Sequence, residues 1–280
     1  MKQPPIAIAS YSFHGMHRQG TMDLFQYLEV IRSRYQVDQA DIWSGFLPPL
    51  DTDDVRKIRR EMDRRGLALA NLCVDGPTPW AVDPDQRQEN HRKMLRYIEV
   101  AELLGARTIR IDFGGQTGDL MTDEAFELIV KRYRTYCGIC HELGMTIGPE
   151  NHFGFDRDPD NLSKVRDAVD HPAYGHLLHF GNLPDFMHQM DELLPTVMHT
   201  HVAADSLPEA KEIIRRLLAS GYEGALSIEH HTADLELERV EWQLATLRAI
   251  LAELNQDDLS QPAGPDYMQT VYRRPQEDKR

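Results

Sequence analysis

Four short segments in the second half of the chain each carry a metal-capable side chain at the end of an apolar stretch. They are MTIGPENH with Glu150, GHLLHFGN with His179, TVMHTHVAAD with His201 and GALSIEHH with Glu229. Two carboxylates and two imidazoles form a ligand set suited to Mn²⁺, Fe²⁺, Co²⁺, Ni²⁺ or Zn²⁺. It is less natural for Mg²⁺ or Ca²⁺, which prefer oxygen alone. The two carboxylates balance a divalent charge, and an open coordination position would admit water or a substrate oxygen, as a catalytic site requires. Taken singly, each residue has an ordinary reading as a buried ion pair or a hydrogen-bonded core histidine. Four at matching positions would be costly to bury unpaired, so the metal reading prevails.

Such a set needs a scaffold that delivers successive strand ends to one point. Strand candidates are Ile6–Ser12, Val37–Trp43, Leu67–Val74, Thr108–Phe113, Met145–Glu150, Leu177–Phe180, Val197–Val202 and Ala225–His230. Amphipathic helical patterns alternate with them: Met22–Arg34, Thr52–Arg65, Asp85–Leu104, Asp123–Leu143, Asn161–Val169, Pro184–Leu194, Pro208–Ala219 and Leu235–Leu254. Strict alternation implies parallel pairing through right-handed crossovers, and hence a (β/α)8 TIM barrel whose active face lies at the strand C-termini. Asp51 and Thr122 read as helix N-caps, and Gly66, Gly105, Gly144 and Gly221 as left-handed helix stops. An open doubly wound sheet is the weaker alternative, because no glycine-rich nucleotide loop follows the first strand. Residues 1–254 are expected to form one barrel domain. Residues 255–280 form a polar C-terminal tail, either a mobile extension or a segment that docks Tyr267, Met268, Val271 and Tyr272 on a neighbouring subunit.

The bulk properties agree. A chain of 280 residues with 41% hydrophobic content can bury the core of one barrel. No apolar run is long enough to span a bilayer, and MKQPPIAIASYSF lacks the features of a signal peptide. Three cysteines argue against a disulfide scaffold and fit a reducing cytoplasm, the expected location. A net charge of −14 argues against nucleic-acid binding, and the basic patch from Arg56 to Arg65 is interleaved with acids as a solvated helix face.

These motifs, in this order, resemble those of the xylose-isomerase-like barrel superfamily of sugar isomerases and epimerases. GPENHFG is similar to its strand-five signature, HFGN to its strand-six Asp-x-Gly-Asn, THVAAD to its strand-seven His segment and LSIEHH to its strand-eight Glu. The likeness covers roughly residues 6–250. It implies one bound divalent metal, often Mn²⁺, held by Glu150, His201 and Glu229, with the two glutamates also serving as acid and base on opposite faces of a sugar. His179 stands where the family usually has Asp. That change removes a negative charge, strengthens the Lewis acid and favours softer ions over Mg²⁺. Asp185 could supply the missing carboxylate, but it sits where a helix begins, and N-capping is the better reading.

Around this set, His152 is placed to hold a hydroxyl or to act as a separate acid/base. Asn182, His14 and Trp43 are candidates for substrate contact, Trp43 as a platform for a sugar ring. Arg110 and Asp112 point inward and read as an internal salt bridge; His199 reads as core; one of His230 and His231 orients a ligand. Cys137 and Cys140 form a CxxC near the end of a helix rather than at its start, and are better read as small core residues. The run Gly114–Gly118 lacks a P-loop's Lys-Ser/Thr and reads as a mobile loop at the site.

The expected function is a divalent-metal-dependent isomerase or epimerase acting on a keto-sugar or cyclitol through a metal-stabilised enediolate. The alternative is a carbon-oxygen or carbon-carbon lyase of the same fold, resembling inosose dehydratases or the deglycosidases of oxidised C-glycosides, which work with a small partner subunit. A homo-oligomer is the other partner left open. A third reading is a barrel that has lost catalysis and only binds a ligand; it predicts no tight metal.

Overall fold

The computed structural model describes residues 3–183 and 185–260. The residues 267–272 considered above for docking lie outside them. Eight strands, β1 Ile6–Ala9, β2 Gln39–Trp43, β3 Ala68–Val74, β4 Ala106–Ile111, β5 Thr146–Gly148, β6 His176–His179, β7 Val197–Ala203 and β8 Leu226–Glu229, form one parallel sheet in the order β5-β4-β3-β2-β1-β8-β7-β6. The two ends of that order meet through the bridges Ile147–Tyr174 and Glu150–Leu177, which close the barrel almost completely. This seam is tight: a Cβ on Gly148 would stand 1.5 Å from the Gly175 carbonyl oxygen. The sheet is the (β/α)8 barrel that the alternation implies.

The helices are α1 His14–Arg18, α2 Leu24–Ser33, α3 Thr52–Arg65, α4 Pro84–Leu104, α5 Asp123–Glu142, α6 Pro159–Val169, α7 Phe186–Leu193, α8 Leu207–Ala219 and α9 Glu236–Ser260. Short α1 escapes a periodicity argument: it is one turn held from outside, with the Gly15 and Met16 amides donating to the Glu236 carboxylate at 2.7 Å each. Asp51 and Thr122 accept from Asp53 and Ala125 as N-caps. Gly66, Gly105, Gly144 and Gly221 all take positive φ at the helix ends. Helix α9 continues past Leu254, where the apolar pattern stops. None of the described helices is long and apolar enough to cross a membrane.

The main apolar core lies between sheet and helices, where Ile8, Ile42, Leu72 and Ile109 pack with Leu28, Ile58, Ile98 and Ile129. Inward positions are instead largely polar. Asn71 Nδ2 donates to Asp41 Oδ1 at 3.0 Å, Thr108 Oγ1 to Asn71 Oδ1 at 2.8 Å and Ser227 Oγ to Asp41 Oδ2 at 2.8 Å. A satisfied polar layer of this kind is rigid, and it underlies the site. The three cysteines are buried and unpaired, and burial pushes the Cys140 thiol up to about 12.

Candidate metal centre

Several strands end earlier than their apolar runs suggest, and this sets where the side chains go. β5 stops at Gly148 because Pro149 has no N–H to continue the ladder, yet its carbonyl still accepts from Leu177 N at 2.8 Å. Glu150 therefore stands just beyond the strand. Asn151 staples this corner to β6: its Nδ2 donates to the His179 carbonyl at 2.8 Å, and its Oδ1 accepts from His179 N at 2.7 Å. His179 and Glu229 close β6 and β8, whereas His201 pairs level with His179, two residues before β7 ends.

One ligand atom from each of Glu150, His179, His201 and Glu229 lies within 4.8 Å of the others, and all four residues are buried. Glu150 Oε1 is 3.0 Å from His179 Nδ1 and 2.8 Å from His201 Nδ1; Glu229 Oε2 is 3.5 Å and 3.2 Å from the same atoms. Bonds of about 2.1 Å to a shared divalent ion put neighbouring donors about 3 Å apart, so these spacings suit such an ion. Glu150 Oε2 faces Arg110 Nε at 3.0 Å but receives no hydrogen bond. The donor set fits a divalent metal.

Beneath it, Asp41 Oδ2 meets His201 Nε2 at 3.0 Å and His199 Nε2 at 2.8 Å. A carboxylate only accepts, so each of these nitrogens carries its proton, and the Nδ1 edge of His201 is turned to the site. His199 is buried below the quartet, as expected. Burial opposes charge on His201, but Glu229, Glu150 and Asp41 outweigh it and raise its proton affinity well above the ordinary range. Burial likewise opposes ionisation of Glu150, yet His201, His152 and Arg110 hold its carboxyl well below the usual range. Three buried carboxylates thus converge on one imidazole and draw positive charge, which a proton or a divalent ion would satisfy.

The quartet lines a cavity of about 430 Å³ at the barrel mouth. Trp43 and Asn182 line it too, and Trp43 Nε1 donates to Asp75 Oδ2 at 2.6 Å. His152 is exposed at its edge, with Nδ1 3.5 Å from Asp112 Oδ2 and 4.0 Å from Glu150 Oε2. Burial would lower its pKa, but Glu150 and Asp112 raise it to about 9. His14 is not on the wall. A 3₁₀ turn, Ser10–Phe13, follows β1 and presents Tyr11 to the cavity, while His14 stacks behind it at 4.5 Å and is buried. Of the tandem histidines, His231 faces the site, its Nε2 3.0 Å from Glu229 Oε2, and His230 turns toward the Asp234 carbonyl. Asp185 takes the N-cap position of α7 without a side-chain cap bond and does not line the cavity. Arg110 does pair with Asp112, at 3.1 Å, and also reaches Asp75 at 2.7 Å.

Asp41, Asp75, Arg157 and Asp205 are cavity residues not singled out from the sequence. For Asp41 a signal existed: in QADIW it shares strand parity with Trp43, which puts a carboxylate inside the barrel.

Comparison with known proteins identifies the fold. Solved structures that share the fold include the following three. A xylose isomerase-like TIM barrel protein from Mycobacterium smegmatis, in complex with magnesium, is 20% identical with a TM-score of 0.69, over 89% of this chain and 98% of that one. The 3-keto-D-glucoside 4-epimerase YcjR of E. coli is 13% identical, TM-score 0.72, over 88% and 100%. A probable 3-DHS dehydratase, AsbF, from Bacillus anthracis is 15% identical, TM-score 0.68, over 87% and 98%. No curated protein matches the chain in sequence. The family model of the xylose isomerase-like TIM barrel matches residues 25–250, and the chain belongs to that family.

Proposed function

We propose that the protein is a divalent-metal-dependent isomerase or epimerase of a keto-sugar or cyclitol. The observation that carries this reading is the convergence of Glu150, His179, His201 and Glu229 on one point of the cavity. A divalent ion bound there would act as a Lewis acid on a carbonyl and its adjacent hydroxyl. Two imidazoles in the set favour Mn²⁺, Fe²⁺, Co²⁺, Ni²⁺ or Zn²⁺ over the magnesium of the mycobacterial relative.

The chain's own residues then handle protons. Glu229 meets His201 and His231 through Oε2, so its Oε1 is the oxygen that takes the proton α to the carbonyl. Glu150 comes from a strand elsewhere on the rim and serves the other face of the resulting enediolate. Arg110 keeps it ionised between turnovers. His152, held at the cavity edge with Nδ1 3.5 Å from Asp112 Oδ2, donates to a substrate oxygen. Trp43 and Tyr11, edge-to-face at 5.1 Å, form an aromatic wall for the ring, and Asn182 holds a hydroxyl.

One observation favours elimination as a second reading. His152 stands at the cavity edge beside Asp112 and Glu150, where an imidazolium would protonate a leaving oxygen, and a dehydratase shares the fold. Incubating Mn²⁺-loaded protein with keto-sugars in D₂O separates the cases. Deuterium in a recovered isomer or epimer supports the first reading, an unsaturated product supports the second, and no exchange with any sugar contradicts both.

A further inference from the structure

A second cavity, of about 550 Å³, opens beside the first and shares Asp75 and His152 with it. It lies between the loops that follow β3 and β4, and its lining is mostly apolar, with Trp80, Val82 and Phe153 on its walls. The inner cavity is lined mainly by ionisable groups, so the two chambers differ in the chemistry they accept.

The outer chamber is built rather than incidental. Trp80 N donates to the Phe113 carbonyl at 2.9 Å, and Thr78 Oγ1 to the Trp80 carbonyl at 2.8 Å. Asn90, itself buried, donates to the Thr78 carbonyl at 2.9 Å. Gly114 sits at φ +101, where a Cβ would be 2.3 Å from the Trp80 carbonyl oxygen, so the two loops touch only because this residue is glycine. The Arg87 guanidinium packs over the Trp80 ring at 3.8 Å and donates to the Ala81 carbonyl at 2.6 Å. Against this fixed wall, Val82 and Phe153 remain 87% and 47% exposed at the rim. Apolar side chains held in water around a preformed concavity mark a ligand surface.

The loop from Glu150 to Phe153 ties the chambers together. Glu150 lines the inner one, His152 forms the shared wall, and Phe153 lines the outer one. A molecule long enough to pass His152 from the quartet would meet Phe153 and Trp80. We propose that the outer chamber binds a planar aromatic substituent carried by the sugar, so that the substrate is an aryl glycoside of a keto-sugar rather than a free monosaccharide. This inference rests on the sugar reading above.

The test compares phenyl and methyl glycosides of one keto-hexose on the metal-loaded protein, by titration calorimetry and by deuterium exchange. Phenyl is expected to bind about tenfold tighter than methyl or better, and the preference to shrink several-fold in Trp80→Ala and in Phe153→Ala. Two variants are used because either alone could fail to fold. Equal affinities, a preference unchanged in a folded variant, or no binding of either glycoside would overturn the proposal. The two readings fail separately. Exchange of the methyl glycoside without a phenyl preference removes the aryl subsite and leaves the sugar enzyme. A Trp80-dependent phenyl preference without any exchange keeps the subsite and removes the enzyme reading.

Discussion

His201 spans the gap between the polar interior and the barrel mouth, with Nε2 3.0 Å from Asp41 Oδ2 and Nδ1 turned toward Glu150 and Glu229. Asp41, held in turn by Asn71 and Ser227, sets which nitrogen carries the proton and how the ring is aimed. Orientation of the imidazole is thus decided on β2, on the far side of the sequence.

Asp41→Asn is expected to weaken divalent-metal affinity by about 10–100-fold while leaving the fold intact, since the amide keeps the volume but can present an N–H to Nε2. Calorimetric titration of Mn²⁺ or Zn²⁺, with circular dichroism as the folding control, measures this. Unchanged affinity would remove Asp41 from the account.

His179→Asp puts a third carboxylate in the quartet and makes the set more negative. Preference should move toward Mg²⁺ and away from Zn²⁺ or Co²⁺, on the order of tenfold in the ratio of affinities. Competition titrations of the parent and the variant read the ratio directly.

Gly148→Ala tests the seam. Its Cβ would lie 1.5 Å from the Gly175 carbonyl oxygen, a backbone atom that cannot turn aside as a side chain would. Destabilisation of about 3 kcal/mol or more is expected, read as a lowered denaturation midpoint in urea.

His176 predicts the acid limb of stability. Thr196 Oγ1 donates to the Leu193 carbonyl, so it accepts from His176 Nδ1, and Nε2 is left buried without a partner. Burial, with Arg166 nearby, lowers the pKa of this imidazole to about 3. The unfolded chain, with a pKa of about 6.5, binds the extra proton between those values. This contribution is fully present above about pH 6.5 and is lost as pH falls toward 3, by up to about 1.4 kcal/mol per pH unit. His176→Gln should flatten that slope in urea titrations from pH 7 to 4; an unchanged slope would contradict the assignment.

The quartet is legible locally because each member lies in or just after a short apolar run, a pattern visible within eight or ten residues. The barrel followed from alternation and from glycine stops such as Gly66 and Gly105, whose left-handed conformation is a local property. Strand parity in QADIW puts Asp41 inside the barrel, but its partners His199 and His201 come from β7, and no short window connects them. Extending β1 to Ser12 puts His14 on the wall, but the 3₁₀ turn at Ser10–Phe13, set by tertiary contacts such as the Ser10 hydroxyl accepting from Trp43 N, carries it behind Tyr11. His231 and His230 are chemically identical in sequence, and only the direction of the chain after β8 separates them.

Elemental analysis of the purified protein beside its Glu150→Gln, Glu229→Gln double variant tests the central claim most directly. The predicted result is about one equivalent of Mn, Fe, Co, Ni or Zn per folded parent chain and little in the folded variant. A parent that holds no divalent metal even after reconstitution with Mn²⁺ would contradict the metal centre and leave a barrel that only binds its ligand.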